Sequence, residues 1–329
     1  MENTTIVEKN KPSVIKKKNN SSLISRMWKA RESYQLILPG VIWYVIFAYI
    51  PMYGLLLAFK TYQANLGIFG SPWVGLTNFT YVFRDPEFMY SLWKTLLINA
   101  GRLIFEFPVP IILALMLNEL RINRFKKTLQ TIYTFPHFLS WIIVSSIMLN
   151  ILDAHGLVNS IIKLLGGDGV NFLGNAKFFQ YLLYLTSDWK ASGWVMIIYL
   201  AAITGIDTEQ YESAQLDGAS RLQTMWYITL PGIRNTIVVM FILAVGNLMT
   251  TGFDQIFNIS NAATAKAGQI LDMYIYNITF QSAADFSFSS AVSLFRAVIN
   301  LVLLLIADRV CKALGSEGLF PSMRKKARG

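Results

Sequence analysis

Six stretches of mainly apolar residues set the terms for this chain: 36–59, 92–118, 129–152, 179–205, 232–254 and 287–308. A helix needs about 20 such residues to cross the hydrocarbon core of a bilayer. That core holds no water to satisfy backbone N–H and C=O groups, so runs of this length must pair those groups internally, as helices. The sequence therefore predicts an all-α integral membrane protein with six spans. Composition agrees, with 54% hydrophobic residues and only 15% charged ones, where a soluble domain carries about 25%.

Lysine and arginine orient the spans. With the N-terminus inside, the inner segments 1–35, 119–128, 206–231 and 309–329 hold 8, 4, 1 and 6 basic residues, and the outer segments 60–91, 153–178 and 255–286 hold 2, 2 and 1. This division of 19 against 5 predicts that both termini are cytoplasmic. The net charge of +10 arises from clusters beside apolar runs, so membrane lipid, and no nucleic acid, is the expected partner for it. Residues 1–35 and 309–329 are expected as basic cytoplasmic tails. The first apolar run is too long for a signal peptide and no A-x-A site follows it.

Several chemistries are excluded by residue count alone. The single cysteine, Cys311, rules out an intrachain disulfide and a C-x-x-C site. Two histidines, His137 and His155, are not arranged as H-E-x-x-H. No G-x-x-x-x-G-K-[ST] loop occurs, and the glycine-rich LGGDGVNFLG at 165–174 lacks the lysine that would hold a phosphate. No cofactor or metal site is expected in this chain, and no catalytic residue.

One inner segment departs from the charge pattern. Gly205 to Pro231 reads GIDTEQYESAQLDGASRLQTMWYITLP, with Asp207, Glu209, Glu212 and Asp217 against one basic residue, Arg221. An inner loop that meets lipid is normally basic, so an acidic one points to a basic protein surface. Asp207 or Thr208 is placed to cap a helix. Tyr211, Ala214, Gly218, Leu222 and Met225 then recur at three- and four-residue steps, which predicts an amphipathic helix along the membrane surface. Gly218 admits a close backbone or a bend, and Pro231 suits the first turn of the next helix.

Within this loop Glu212, Ser213, Ala214, Gly218, Ile228, Leu230 and Pro231 spell E-S-A-x3-G-x9-I-x-L-P. The string resembles the E-A-A-x3-G-x9-I-x-L-P signature of ABC importer permeases, with Ser213 for alanine as the one departure. SPWVGLTNF (71–79), FPHFLSW (135–141) and LPG (38–40) resemble the carbohydrate, maltose-type class. Within it they look like the polysaccharide and oligosaccharide branch often labelled lipoprotein-type. The resemblance runs from about Ser33 to Gly315. It implies a six-helix type I ABC importer transmembrane domain in a bacterial cell membrane. It also implies a second homologous permease subunit, two ABC ATPase subunits that bind ATP and Mg, and an extracellular solute-binding protein that delivers an oligosaccharide. Glu212, Ser213, Ala214, Asp217, Gly218, Ile228, Leu230 and Pro231 would form the coupling helix and its return to the membrane. Glu212 would pair with a basic residue of the ATPase.

A sugar path needs aromatic faces and hydrogen-bonding side chains, because a pyranose ring has an apolar face and a rim of hydroxyls. The fourth span offers Trp189, Trp194 and Tyr199, and the fifth offers Asn247, Asp254 and Gln255. Asn247 lies near mid-membrane and leads that set, since polar groups within a span usually face a cavity or the bundle interior. Arg102 and Glu106 lie one helical turn apart before Pro108 and Pro110. They read as an intrahelical ion pair beside a kink, or as a relay in an ion-coupled secondary sugar carrier, the alternative to an importer subunit. That alternative lacks the internal repeat such carriers often show and gives the acidic loop no task.

Overall fold

The structure, a computed structural model, describes residues 28, 30–281, 284–315 and 318–319. The described residues are helical, with no strand among them and one isolated bridge between Lys60 and Trp73. The tails expected at 1–35 and 309–329 lie largely outside the described residues.

Helix α1 (Arg31–Tyr44) passes through a π turn at Val45–Tyr49 into a 3-10 stretch at Ile50–Phe59. The change falls at Pro51, which has no N–H to donate and crowds the carbonyl four residues back. Residues up to Gly54 form one compact unit and those from Leu55 onward another. The second unit carries α2 (Thr77–Arg84), α3 (Pro86–Phe105), α4 (Pro108–Asn118), α5 (Asn123–Thr134), α6 (Trp141–Leu152), α7 (Leu157–Leu164) and α8 (Ala176–Thr204). It continues with α9 (Thr208–Leu216), α10 (Arg221–Gly232), α11 (Arg234–Gly246), α12 (Phe253–Ile259), α13 (Leu271–Tyr276) and α14 (Phe286–Ala313).

Among the described residues, four passes are long and apolar enough to cross a membrane: Arg31–Phe59, Pro86–Asn118, Trp141–Leu164 and Phe286–Ala313. Two bent pairs raise the number to six, α8 with α9 at 73° and α10 with α11 at 60°. Two expected spans differ in position. The run at 129–152 is divided, because Pro136 ends the helical pattern of α5 and Ser140 Oγ accepts from Ile143 N at 3.3 Å to start α6. The apolar pass is therefore 141–164. The run expected to end at 254 stops being helical at Gly246, where Asn247 takes the C-cap. The chain then turns through 247–251 and restarts at Gly252, whose φ of +110° suits glycine.

Between helices in lipid the hydrophobic effect contributes little, so close approach and hydrogen bonds hold the bundle. Helix α8 shows the first. It packs along α4 and across α5, and at Gly193 any β-carbon would strike the Tyr133 carbonyl and the Thr134 amide. The second is seen where Arg234 Nη2 donates to the Leu314 carbonyl at 2.9 Å, closing the C-terminal end of α14 against the start of α11. Farther along, Phe88, Met249, Leu271, Tyr274 and Val292 form a buried cluster. There Tyr274 Oη donates to Asp85 Oδ2 at 2.5 Å. Burial and the neighbouring Asp85 both push the Tyr274 hydroxyl above the usual phenol range. The SPWVGLTNF stretch organises the preceding loop. Asn78 Nδ2 donates to the carbonyls of Ala58 and Lys60, both at 3.0 Å, and Trp73 stacks on Phe59 at 5.6 Å.

Candidate functional site

The acidic loop folds as two helices joined by a turn at Gly218, the position where the sequence admits a bend, before the chain re-enters the fifth span. Asp207 caps α9, its carboxylate accepting from Glu209 N at 3.0 Å. At the other end Gly218 has φ +75°. Gly218 N donates to the Gln215 carbonyl at 3.1 Å and Ala219 N to the Ala214 carbonyl at 2.9 Å. This pair of bonds is a Schellman closure, and it requires a left-handed residue at its centre. Ser220 then caps α10 in a capping box with Gln223. The three- and four-residue steps run on through the break, and Gly218 is the residue that marks the turn.

The loop's side chains divide by task. Glu212, Ser213, Asp217 and Gly218 are exposed, as are Leu216 at 90% and Leu222 at 66%. Ala214, Ile228 and Leu230 are half-buried, and Pro231 sits in the first turn of a short helical segment that leads to α11. The two limbs are joined at their base. Tyr211 Oη and Thr229 Oγ1 share a hydrogen bond at 3.1 Å, and Thr229 is buried. Ile206 packs where a side chain on Gly232 would lie. The exposed tip is therefore mounted on a base continuous with α8 and α11.

Those same two helices line a cavity of about 410 Å³. Helix α8 contributes Asp188, Ser192 and Tyr199, and α3 contributes Asn99 and Arg102. Asn247 and Thr251 come from the turn after α11, and Glu106 from the break between α3 and α4. Interrupted helices are tolerated at membrane depth where they border protein or a cavity, and both interruptions here do so. Asn99 Nδ2 donates to the carbonyls of Leu248 at 2.7 Å and Thr251 at 3.2 Å, and Asn300 Oδ1 accepts from Met249 N at 3.2 Å. The turn after α11 is thus held from both sides.

Behind this wall runs a buried network. Arg102 pairs with Glu106 at 3.7 Å and donates to Gln255 Oε1. Gln255 Nε2 donates to the Leu183 carbonyl and to Thr186 Oγ1, both at 2.7 Å, and Glu106 Oε2 accepts from Ser187 Oγ at 2.9 Å. The guanidinium also occupies the space beside Gly252, where a β-carbon would meet it.

Of the six side chains read as a sugar path, Asn247 and Tyr199 line the cavity. The other four do not. Gln255 is one layer behind, committed to Arg102 and α8. Trp194 stacks on His137 at 4.7 Å, on another face of α8. Trp189 is 41% exposed and Asp254 is exposed on the first turn of α12, both away from the cavity. Sequence reasoning did not single out Asn99, Asp188, Ser192 and Thr251. An acid inside an apolar span was the available signal for Asp188.

With this geometry in place, comparison with known proteins is direct. Residues 106–316 match the family described as binding-protein-dependent transport system inner membrane component. The polygalacturonan/rhamnogalacturonan transport system permease protein YteP of Bacillus subtilis (strain 168) is 43% identical over 308 residues, covering 93% of this chain and 96% of YteP. Protein LplB of the same organism is 38% identical, covering 96% of this chain and 99% of LplB. Among solved structures, a chain of a bacterial ABC transporter involved in import of the acidic polysaccharide alginate superposes with a TM-score of 0.82 at 34% identity, covering 89% of this chain and 99% of that one. A chain of the bacterial alginate ABC transporter, crystallised with its alginate pentasaccharide-bound periplasmic protein, gives 0.83 at 34% identity, over 91% and 100%. The chain belongs to the family of binding-protein-dependent transport system inner membrane components, and it is a permease subunit of such a system.

Proposed function

We propose that this chain is one of two membrane-spanning subunits of an ABC importer for oligosaccharides cut from a polysaccharide. The substrate class follows from what its relatives carry, pectic chains for YteP and alginate for the structural neighbours. The importer sits in the bacterial cell membrane with both termini cytoplasmic. An extracellular solute-binding protein hands over the sugar, and a second permease subunit completes the path. Two ATPase subunits bind ATP and Mg and supply the work. This chain contributes no catalytic residue.

One observation carries the mechanism: a single pair of helices, α8 and α11, holds the acidic loop at one end and lines the cavity farther along, with Asp188, Ser192 and Tyr199 on α8 and Asn247 in the turn after α11. Exposed Glu212 and Asp217, with Leu216 and Leu222, give the tip negative charge and apolar knobs for a groove in the ATPase. The Tyr211–Thr229 bond and the packing of Ile206 at Gly232 make tip and base one body. Displacing the tip when ATP closes the motor therefore moves α8 and α11, and with them the walls of the cavity. Asn247 and Tyr199 lie on those walls as sugar contacts. Membership of the permease family leaves the ion-coupled carrier without a supporting observation.

The test is gentle affinity purification of the chain from native membranes, followed by reconstitution. A second permease and a P-loop ATPase should co-purify, and ATP should drive uptake once the binding protein is added. A chain that emerges alone and moves sugar on a proton gradient would end this reading.

A further inference from the structure

Lys190 stands at the middle of the 29-residue α8. A lysine at that depth is costly against lipid, so it faces the bundle interior or a water-filled path and marks a functional site. Among the described residues no acid pairs with it. Its ammonium donates to the His137 carbonyl at 2.7 Å and lies 5.6 Å from the centre of the Trp141 ring. An ammonium carries three donors, and one carbonyl takes one of them and none of the charge. Lys190 is partly exposed, so an incoming anion can reach the rest.

The surroundings suit a sugar ring. Trp194 lies one turn along α8 and is 45% exposed, although His137 stacks on it at 4.7 Å and Phe138 meets it edge-on at 6.0 Å. The indole is therefore held in place and still offers nearly half its surface. His137 and Phe138 come from the break between α5 and α6. The mid-span lysine reaches that break, which sets it at the same depth. Irregular backbone at membrane depth is tolerated where it is buried in protein or lines a water-filled cavity. Lysine and break thus both turn this face of α8 toward the interior of the assembly. Neither Lys190 nor Trp194 lines the cavity beside Asn247, so the face is a second wall.

We propose that Lys190 and Trp194 form a further sugar subsite, one that holds a uronate unit of the passing oligosaccharide. Lys190 donates to the carboxylate in a charge-assisted hydrogen bond, and the apolar face of the pyranose packs on the Trp194 indole. The inference rests on the oligosaccharide-importer reading and adds an acidic unit to it; its test separates the two.

The complete transporter is purified in nanodiscs without its binding protein, and binding of trigalacturonic acid and of its fully methyl-esterified form is measured by titration calorimetry. Wild-type protein should bind the acid about ten-fold tighter than the ester, as one hydrogen bond to a charged group allows. Lys190→Gln should weaken acid binding by about ten-fold and ester binding by no more than about two-fold. Lys190→Arg should keep the preference for acid. Trp194→Ala should weaken both probes alike, because stacking does not read charge. A lysine that only holds the His137 carbonyl would shift both probes together in Lys190→Gln. That result, equal wild-type affinities, or no acid binding by wild type would overturn the proposal. Loss of the second permease from Lys190→Gln but not from Lys190→Arg would also overturn it, by placing an acid of that subunit against the lysine. Should Lys190→Gln fail to reach the membrane, the wild-type ratio alone decides. ATP-driven uptake of the acid by wild-type transporter with its binding protein is followed in parallel. Absence of uptake beside lysine-dependent binding would overturn the importer reading alone, an outcome distinct from uptake without a lysine-dependent preference.

Discussion

The acidic loop and the cavity lie on the same two helices and follow opposite rules. In the loop, shape comes from bonds a few residues apart: Asp207 on Glu209, Gly218 on Gln215, Ser220 on Gln223. Glu212, Ser213 and Asp217 are left in the open. In the cavity, shape comes from side chains far apart in the chain, and Asn99, Arg102, Ser192 and Tyr199 are buried. Arg102 reaches Gln255 across 153 positions, and Asn99 reaches Leu248 across 149. A tip shaped by caps and a turn holds its geometry mainly through local bonds, whereas a polar wall at membrane depth exists only when the bundle is assembled. Damage to the two regions should therefore differ in kind: stability for the wall, coupling for the loop.

Arg102→Met should have the largest effect on stability. It leaves Glu106 buried without its counter-charge and Gln255 without its donor. Breaking a buried pair from one side costs about 3–5 kcal/mol. The purified complex should unfold at a markedly lower temperature, and Arg102→Met combined with Glu106→Gln should regain more than half of the loss. A single variant as stable as wild type would show that the network is not what holds the wall.

Glu212→Lys should do the reverse. Glu212 is exposed, with no ion pair among the described residues, so membrane level and thermal stability should be unchanged. Reversing a charge that is desolvated against a partner costs about 2–5 kcal/mol, enough to drop ATPase co-purification and uptake by about 30-fold or more. Normal uptake at normal expression would remove Glu212 from the coupling surface, and loss of stability would erase the contrast between the two regions.

What the sequence disclosed divides along the same line. Helical spans were legible because lipid dictates their length and composition, and the loop was legible because caps and turn residues act locally. Asn247 and Tyr199 were chosen for being polar or aromatic at membrane depth and they line the cavity, but Trp194, Trp189, Asp254 and Gln255 were chosen by similar reasoning and face elsewhere. Residue type does not report which face of a helix meets the cavity. That depends on how α8 rotates against α5, which Gly193 settles by backbone contact with Tyr133. The misplaced third span has a local cause that was visible, Pro136 followed by the Ser140 cap, and apolar composition masked it. Asp188 stands next to Trp189 and carried the stronger signal of the two, since an acid in a span is costly and is kept for a reason.

Gly218→Ala probes the loop's shape without touching its charge. Space is open at that position, but φ is +75°, and a residue with a β-carbon costs about 1–2 kcal/mol there. The turn between α9 and α10 should loosen, weakening ATPase binding by about ten-fold while thermal stability of the membrane bundle stays put. Asparagine, which tolerates the left-handed region better, should recover most of the binding. Equal binding by alanine and glycine would mean that the Schellman turn does not set the docking geometry.

The smallest expected effect is the most specific to coupling. Tyr211→Phe removes one hydrogen bond, the 3.1 Å link to Thr229 that ties the tip to its base. A typical intramolecular bond contributes about 1 kcal/mol, so the fold should persist and the ATPase should still dock on an unaltered Glu212. What should change is transmission. A tip free to tilt on its base lets the motor close without carrying α8 and α11 through the full motion. Reconstituted Tyr211→Phe transporter should hydrolyse ATP at close to the wild-type rate while moving about half as much sugar per ATP. Thr229→Val should match it, since it removes the other half of the same bond, and the double variant should be no worse than either single one. If both singles keep the wild-type ratio of sugar to ATP, tip and base are rigid without this bond. Transmission would then rest on the packing of Ile206 against Gly232, and on the helix backbone alone.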